Sequence, residues 1–123
     1  MDIDNVVRAR DVAVTQLFGE ITITGASGAI STATPSTCYG FTVAYVSAGK
    51  YTITLDRLYP ELLYVNATTF LATVTEVDAQ VSAYDMSAGT ISVIFTTSGA
   101  ATELATGSKV FFMIVLKDST VAP

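Results

Sequence analysis

This 123-residue chain offers little for chemistry: eleven acidic side chains, one cysteine, six basic residues, and no histidine. Glu76 and Asp78 stand two apart, so on a strand both carboxylates leave the same face, and with Asp85 they could chelate calcium. The same three residues suit the solvated rim of a turn, and the EF-hand loop spacing is missing. A glycosidase-type carboxyl pair needs a cleft and one member with a raised pKa, and the sequence points to neither. Gly25-Ala26-Ser27-Gly28-Ala29 looks like a nucleophile elbow, but alanine stands where the last glycine belongs and no histidine exists to activate the serine. Gly49-Lys50-Tyr51 lacks the spaced glycine and the hydroxyl of a phosphate-binding loop. Cys38 has no partner for a disulfide and no imidazole to lower its pKa, so it reads as a small buried hydrophobe. Asn66-Ala67-Thr68 fits the glycosylation sequon, and without a signal peptide the match reads as accidental. The expectation is a protein without catalytic residues, metal or cofactor.

Charge narrows the partners. Charged residues make up 14% of the chain, against roughly 25% in an ordinary soluble domain. The net charge of -5 sets up a field that repels nucleic acid and anionic membranes, and the basic residues are too scattered to form a patch. The acidic start, Met1-Asp2-Ile3-Asp4-Asn5, does not resemble a secretory signal. The longest apolar run, Val110–Leu116, is far shorter than the roughly 20 residues of a membrane-spanning helix. Neither nucleic acid nor membrane is expected as a partner, and the chain is expected to be soluble.

The elements that must carry these residues follow a period of two. Tyr51-Thr52-Ile53-Thr54-Leu55 and Ile21-Thr22-Ile23-Thr24 alternate apolar residues with threonine, the pattern of half-buried strands. Phe41, Val43 and Tyr45 share one face, as do Ile91, Val93 and Phe95, Val81 with Ala83, and Phe70, Ala72 and Val74. Val110–Leu116 is apolar on both faces, which predicts a central strand covered on both sides. Ser47-Ala48-Gly49-Lys50 reads as a tight hairpin and Ser87-Ala88-Gly89 as another connection, with further turns at Gly25–Gly28 and Ser98–Ala101. Short strands and turns this regular predict an all-β fold: an antiparallel β-sandwich, jelly-roll or Ig-like, of about seven to eight strands. The stretch Asp56–Leu63 breaks the rhythm. Leu58, Leu62 and Leu63 fit one face of a short helical crossover, with Pro60 and Glu61 in its first turn.

The division expected is an N-terminal arm, residues 1–11, and a single sandwich domain, residues 12–123. The arm carries Asp2, Asp4, Arg8, Arg10 and Asp11 and reads as a terminus or edge strand, or as an arm reaching a neighbouring subunit. On the strands, the outward positions are small and uncharged: Thr22, Thr24, Thr42, Ala44, Thr52, Thr54, Ser92 and Thr96. Lone soluble proteins keep charges there to block edge pairing, and charge depletion is a mark of interface cores. The surface is therefore expected to be committed to subunit contacts. The six tyrosines fit the same reading, as core-edge or subunit-contact residues.

The order Gly25-Ala26-Ser27-Gly28-Ala29-Ile30, Gly40-Phe41-Thr42-Val43, Gly49-Lys50-Tyr51-Thr52-Ile53-Thr54-Leu55 and Tyr59-Pro60-Glu61-Leu62-Leu63 resembles small virion structural proteins of tailed bacteriophages. Val115-Leu116-Lys117-Asp118-Ser119-Thr120-Val121 resembles their endings, with Asp118 where asparagine is common. The likeness runs from Val12 to Val121 and rests on turn glycines and strand alternation. It implies a capsid decoration, or cement, protein: β-rich, often a homotrimer, clamping major capsid protein subunits after head expansion. It also implies a virion location on the capsid exterior, after synthesis in the host bacterial cytoplasm. The family has no catalytic residues. Contacts to the capsid or to sister subunits are expected from Asp2, Asp4, Arg8 and Arg10 in the arm and from Arg57 and Tyr59 in the crossover. The alternative is a head-fibre or tail-associated adhesion module binding host-surface glycan through tyrosine-bearing loops.

Overall fold

A computed structural model describes residues 14–23, 30, 37–72 and 76–118. Nine strands lie in these segments: β1 (Val14–Thr22), β2 (Thr37–Cys38), β3 (Phe41–Ser47), β4 (Lys50–Leu55), β5 (Glu61–Phe70), β6 (Asp78–Asp85), β7 (Thr90–Thr97), β8 (Ala100–Ala101) and β9 (Lys109–Lys117). They form two antiparallel sheets, one in the order β2-β1-β9-β5 and the other β3-β4-β7-β6, with β8 paired to β7. The protein is all-β and sandwich-like, because one core lies between the sheets.

Alternation builds that core. Ile21 from β1 and Val110, Phe112, Ile114 and Leu116 from β9 face Phe41, Tyr51, Ile53, Ile91, Val93 and Phe95 from the other sheet, all buried. Tyr51 and Phe95 meet edge to face, their ring centroids 5.6 Å apart. The β3–β4 hairpin turns at Ala48-Gly49, as its sequence predicts, with Gly49 at φ +67°. The β6–β7 turn is held by the Asp85 carboxylate, which accepts from the Ser87 amide, the Ser87 hydroxyl and the Ala88 amide. Those donors keep the Asp85 carboxyl below its ordinary range, the Ser87 hydroxyl most of all.

Four expectations change. No helix occurs among the described residues, so the helical crossover is replaced by a loop, residues 56–60, running straight into β5 at Glu61. Burial there does not follow a helical face. Leu58 and Leu63 are exposed, Tyr59 is buried, and Pro60 lies just before the strand, where its missing N–H costs no ladder bond. Phe70 points away from the core, opposite Lys109, while Leu71 packs inward. A register shift between Leu62 and Tyr64 fixes that parity for the rest of β5. A similar shift between Val81 and Ala83 takes them off a common face. Finally, Ile21–Thr22 is not a separate strand but the end of the nine-residue β1. Residues 1–13, the arm among them, and residues 24–29, 31–36, 73–75 and 119–123 lie outside the described residues, and with them Val74 and Thr24.

Candidate functional site

β9 is the spine of the first sheet, paired on one side with β1 and on the other with β5 along its whole length. Its even-numbered residues fill the core, which leaves Phe111, Met113 and Val115 on the outer face. The sequence calls for cover on both faces of this strand. Among the described residues only the inner one receives it, and Phe111 stays 43% exposed.

Register extends the open apolar surface across the sheet. Phe18 lies opposite Met113, and Thr68 opposite Phe111. Phe18, Phe111 and Phe70 therefore fall on one diagonal over three successive strands, close enough for aromatic side chains to meet. Phe18 is 52% and Phe70 59% exposed. Tyr39, 70% exposed, continues the line beyond Phe18, to whose carbonyl its amide donates at 3.1 Å. A shallow groove of about 300 Å³ runs between Phe18, Glu20, Thr37, Tyr39 and Phe111. Along β5 the outward polar groups satisfy one another. Thr68 Oγ1 donates to Asn66 Oδ1 at 2.9 Å, and Asn66 Nδ2 donates to the Tyr64 hydroxyl at 3.1 Å. Lys109 Nζ and Glu20 Oε1 pair at 3.1 Å.

The other sheet turns a different face outward. Thr42, Thr54 and Thr90 lie in one rank across β3, β4 and β7, and Ala44, Thr52 and Ser92 in the next. All but Thr90 are among the small uncharged positions read from the sequence, and their charged neighbours lie at the margins, Lys50 at the start of β4 and Asp78 and Asp85 at the ends of edge strand β6. Thr96 departs from that reading, being buried where β6 and β8 flank β7.

The sequence-derived contact residues divide. Asp2, Asp4, Arg8 and Arg10 lie outside the described residues. Arg57 is at the surface, paired with Asp118 and stacked 4.2 Å above the ring of Tyr59, which is itself buried. Asp118 also accepts from Thr15 Oγ1 at 2.7 Å. The Thr15 hydroxyl first, then Arg57, hold its carboxyl below the usual range, and Asp118 in turn raises Arg57.

The acidic residues do not converge. Asp78 and Asp85 are the two ends of β6, about 23 Å apart at the rise of a strand, and the Asp85 carboxylate is engaged in its turn. No group of three possible metal ligands occurs among the described residues. Cys38 is half-buried beside β1, its thiol pushed up by burial and donating weakly to the Glu20 carbonyl at 3.7 Å. A smaller cavity of about 240 Å³ lies between Leu71, Val77, Leu104 and Ser108. Its polar groups are engaged, Ser108 Oγ by the Ala72 amide and Glu103 by the Tyr45 hydroxyl.

The aromatic diagonal is what residue-by-residue reading misses. Phe18 falls in no alternating motif, and Phe70 aligns in sequence with Ala72 and Val74. The usable signal is β9, whose two apolar faces ask for more cover than the described residues provide. Fold and site together define an all-β protein with a core closed between two sheets and one sheet face that is open and aromatic among the described residues. No protein-family model, curated protein or solved structure matches the chain.

Proposed function

We propose that this chain is a non-enzymatic virion subunit of the capsid-decoration type, binding the assembled major capsid lattice of a tailed bacteriophage from outside. The observation that carries the reading is the face of small uncharged residues across β3, β4 and β7, backed on the other sheet by an aromatic face whose charges balance. Uncharged faces are cheap to desolvate, as a subunit covered on several sides requires. The strand order supports the Ig-like form of the sandwich. The run β3-β4-β7-β6 against β5-β9-β1 follows the ABED and CFG sheets of a constant-type domain, with the last position filled by the first strand of the chain. A jelly-roll is the less suited form.

Function then follows from mass action. A protein that binds only the expanded shell shifts the equilibrium toward it, and contacts repeated over a lattice multiply weak affinities. The contacts are assigned to Arg57 and to the arm residues Asp2, Asp4, Arg8 and Arg10, with Tyr59 as the buried support on which Arg57 rests. Co-sedimentation with expanded and with unexpanded capsids tests this. Saturable binding to expanded shells alone supports the reading, and absence of binding to either overturns it. Tyr39, exposed at the groove beside Glu20, favours a second reading: a head-fibre or tail-associated module stacking a host glycan on that ring. Binding on a glycan array, without capsid binding, selects it.

A further inference from the structure

We infer that the outer face of the β2-β1-β9-β5 sheet is covered by a second copy of this chain, packed sheet on sheet as a two-fold pair. The inference rests on the chain being an assembly subunit and names the surface and partner that make it one. Three observations converge on it.

The first is the demand for cover. A central strand apolar on both faces belongs between two layers, and among the described residues β9 has a layer on one side only. The second is area. Tyr39, Phe18, Phe111, Phe70 and the 48%-exposed Tyr64 leave on the order of 500 Å² open, taking about 200 Å² for a whole aromatic side chain. That is high in the roughly 300–600 Å² range of the largest patch on a typical monomer. It is also more than half of the roughly 800 Å² that each partner buries in a standard interface. Met113, Val115 and a polar rim of Gln16, Asn66 and Thr68 are there to supply the rest.

The third is charge, and it selects the occupant. On this face Glu20 and Glu61 are matched by Lys109 and Lys117, with Glu20 and Lys109 already paired and Glu61 opposite Lys117. The acidic excess lies elsewhere: Asp56, Glu76, Asp78, Asp85, Glu103 and Asp118 stand against only Lys50 and Arg57 among the remaining described residues. A basic partner would be drawn to those other surfaces. A copy of the chain, itself at -5, meets least repulsion here. A single contiguous patch covers itself when two copies meet isologously, whereas a ring of three needs two different complementary patches on each copy.

Sedimentation equilibrium of the full chain without capsid provides the test, and it is separate from capsid co-sedimentation, so either idea can fail alone. The expected mass is twice the 12.9 kDa of the chain. Phe18→Thr with Phe70→Thr, on β1 and edge strand β5, keeps strand-forming residues and should raise the dissociation constant about 100-fold or more. Thr52→Lys, on the outer face of the other sheet, should leave the pair intact. A wild-type monomer at 100 μM (about), a three-copy mass, or a folded double variant that still pairs overturns the inference. Should the double variant not fold, isotope-filtered NMR of mixed labelled and unlabelled wild type decides. Contacts between Phe18, Phe111 or Phe70 rings of different copies support the pair, and contacts confined to other surfaces overturn it.

Discussion

Phe41 of one sheet stands edge-on to Phe112 of the other, their ring centroids 6.1 Å apart and their planes at 83°. Both rings are buried, so this contact ties the layers together at the end of the core beside Gly19. Phe112→Ala should cost about 3–5 kcal/mol in urea unfolding, combining lost transfer energy with a cavity. A cost under about 1 kcal/mol would show that the sheets do not close on each other here.

Two turn glycines separate strain from collision. Gly49 and Gly99 both have positive φ, +67° and +82°. A methyl group on Gly49 would lie 2.5 Å from the Thr102 carbonyl oxygen and 2.6 Å from that of Phe95, while one on Gly99 meets nothing within 4 Å. Gly99→Ala should therefore lose only the left-handed penalty, about 1–2 kcal/mol. Gly49→Ala should lose about 4 kcal/mol or more, because backbone cannot step aside. Equal losses in paired denaturation curves would contradict this placement of the β3–β4 turn.

Acid should weaken the fold through Asp118 and Asp85. Each carboxyl is held below its ordinary value in the folded chain, Asp118 by Thr15 and then Arg57, and Asp85 chiefly by Ser87. The unfolded chain then binds more protons in acid. Their contribution is present in full above about pH 4, the unfolded carboxylate range, and is lost as pH falls through the lower folded values. Melting temperature should be flat from neutrality to about pH 5 and fall below about pH 4, with a shallower fall in Asp118→Asn. Identical slopes for wild type and variant would remove Asp118 from the account.

Cys38 should be a slow thiol. Burial is the first cause raising its pKa, and the carbonyl of Glu20 is its hydrogen-bond partner. At pH 8 its reaction with an aromatic disulfide should run at least 10-fold slower than that of a free thiol and reach the free rate in urea. Full reactivity in the native state would mean that the β1–β2 edge stands open.

Three strands, β3, β4 and β7, were legible because their apolar residues alternate without interruption, and β9 because its apolar run is continuous. The start of β5 was not. Leu58, Leu62 and Leu63 happen to be spaced as on a helix, and Pro60 suits a helix start as well as a strand entry. Bulges hid the rest, since a single shift near Leu62–Tyr64 decides which way Phe70 faces, and local sequence does not announce it. The candidate site was half readable. The hydroxyl-rich face appeared in its alternation, whereas the aromatic diagonal joins residues from three strands far apart in sequence. Only the register of those strands brings Phe18, Phe111 and Phe70 into line.

The pairing of β1 with β9 also sets a timetable. Every β9 partner of β1 lies about 90 to 100 residues further along the chain. At roughly 5–20 residues per second of synthesis, the first strand waits on the order of 5–20 s for the last one. Until Lys109–Lys117 emerges, neither β1 nor β5 has the strand that joins them. The second sheet has all its main strands by Thr97 and can zip while the chain is still being made, so the aromatic layer is the last to close.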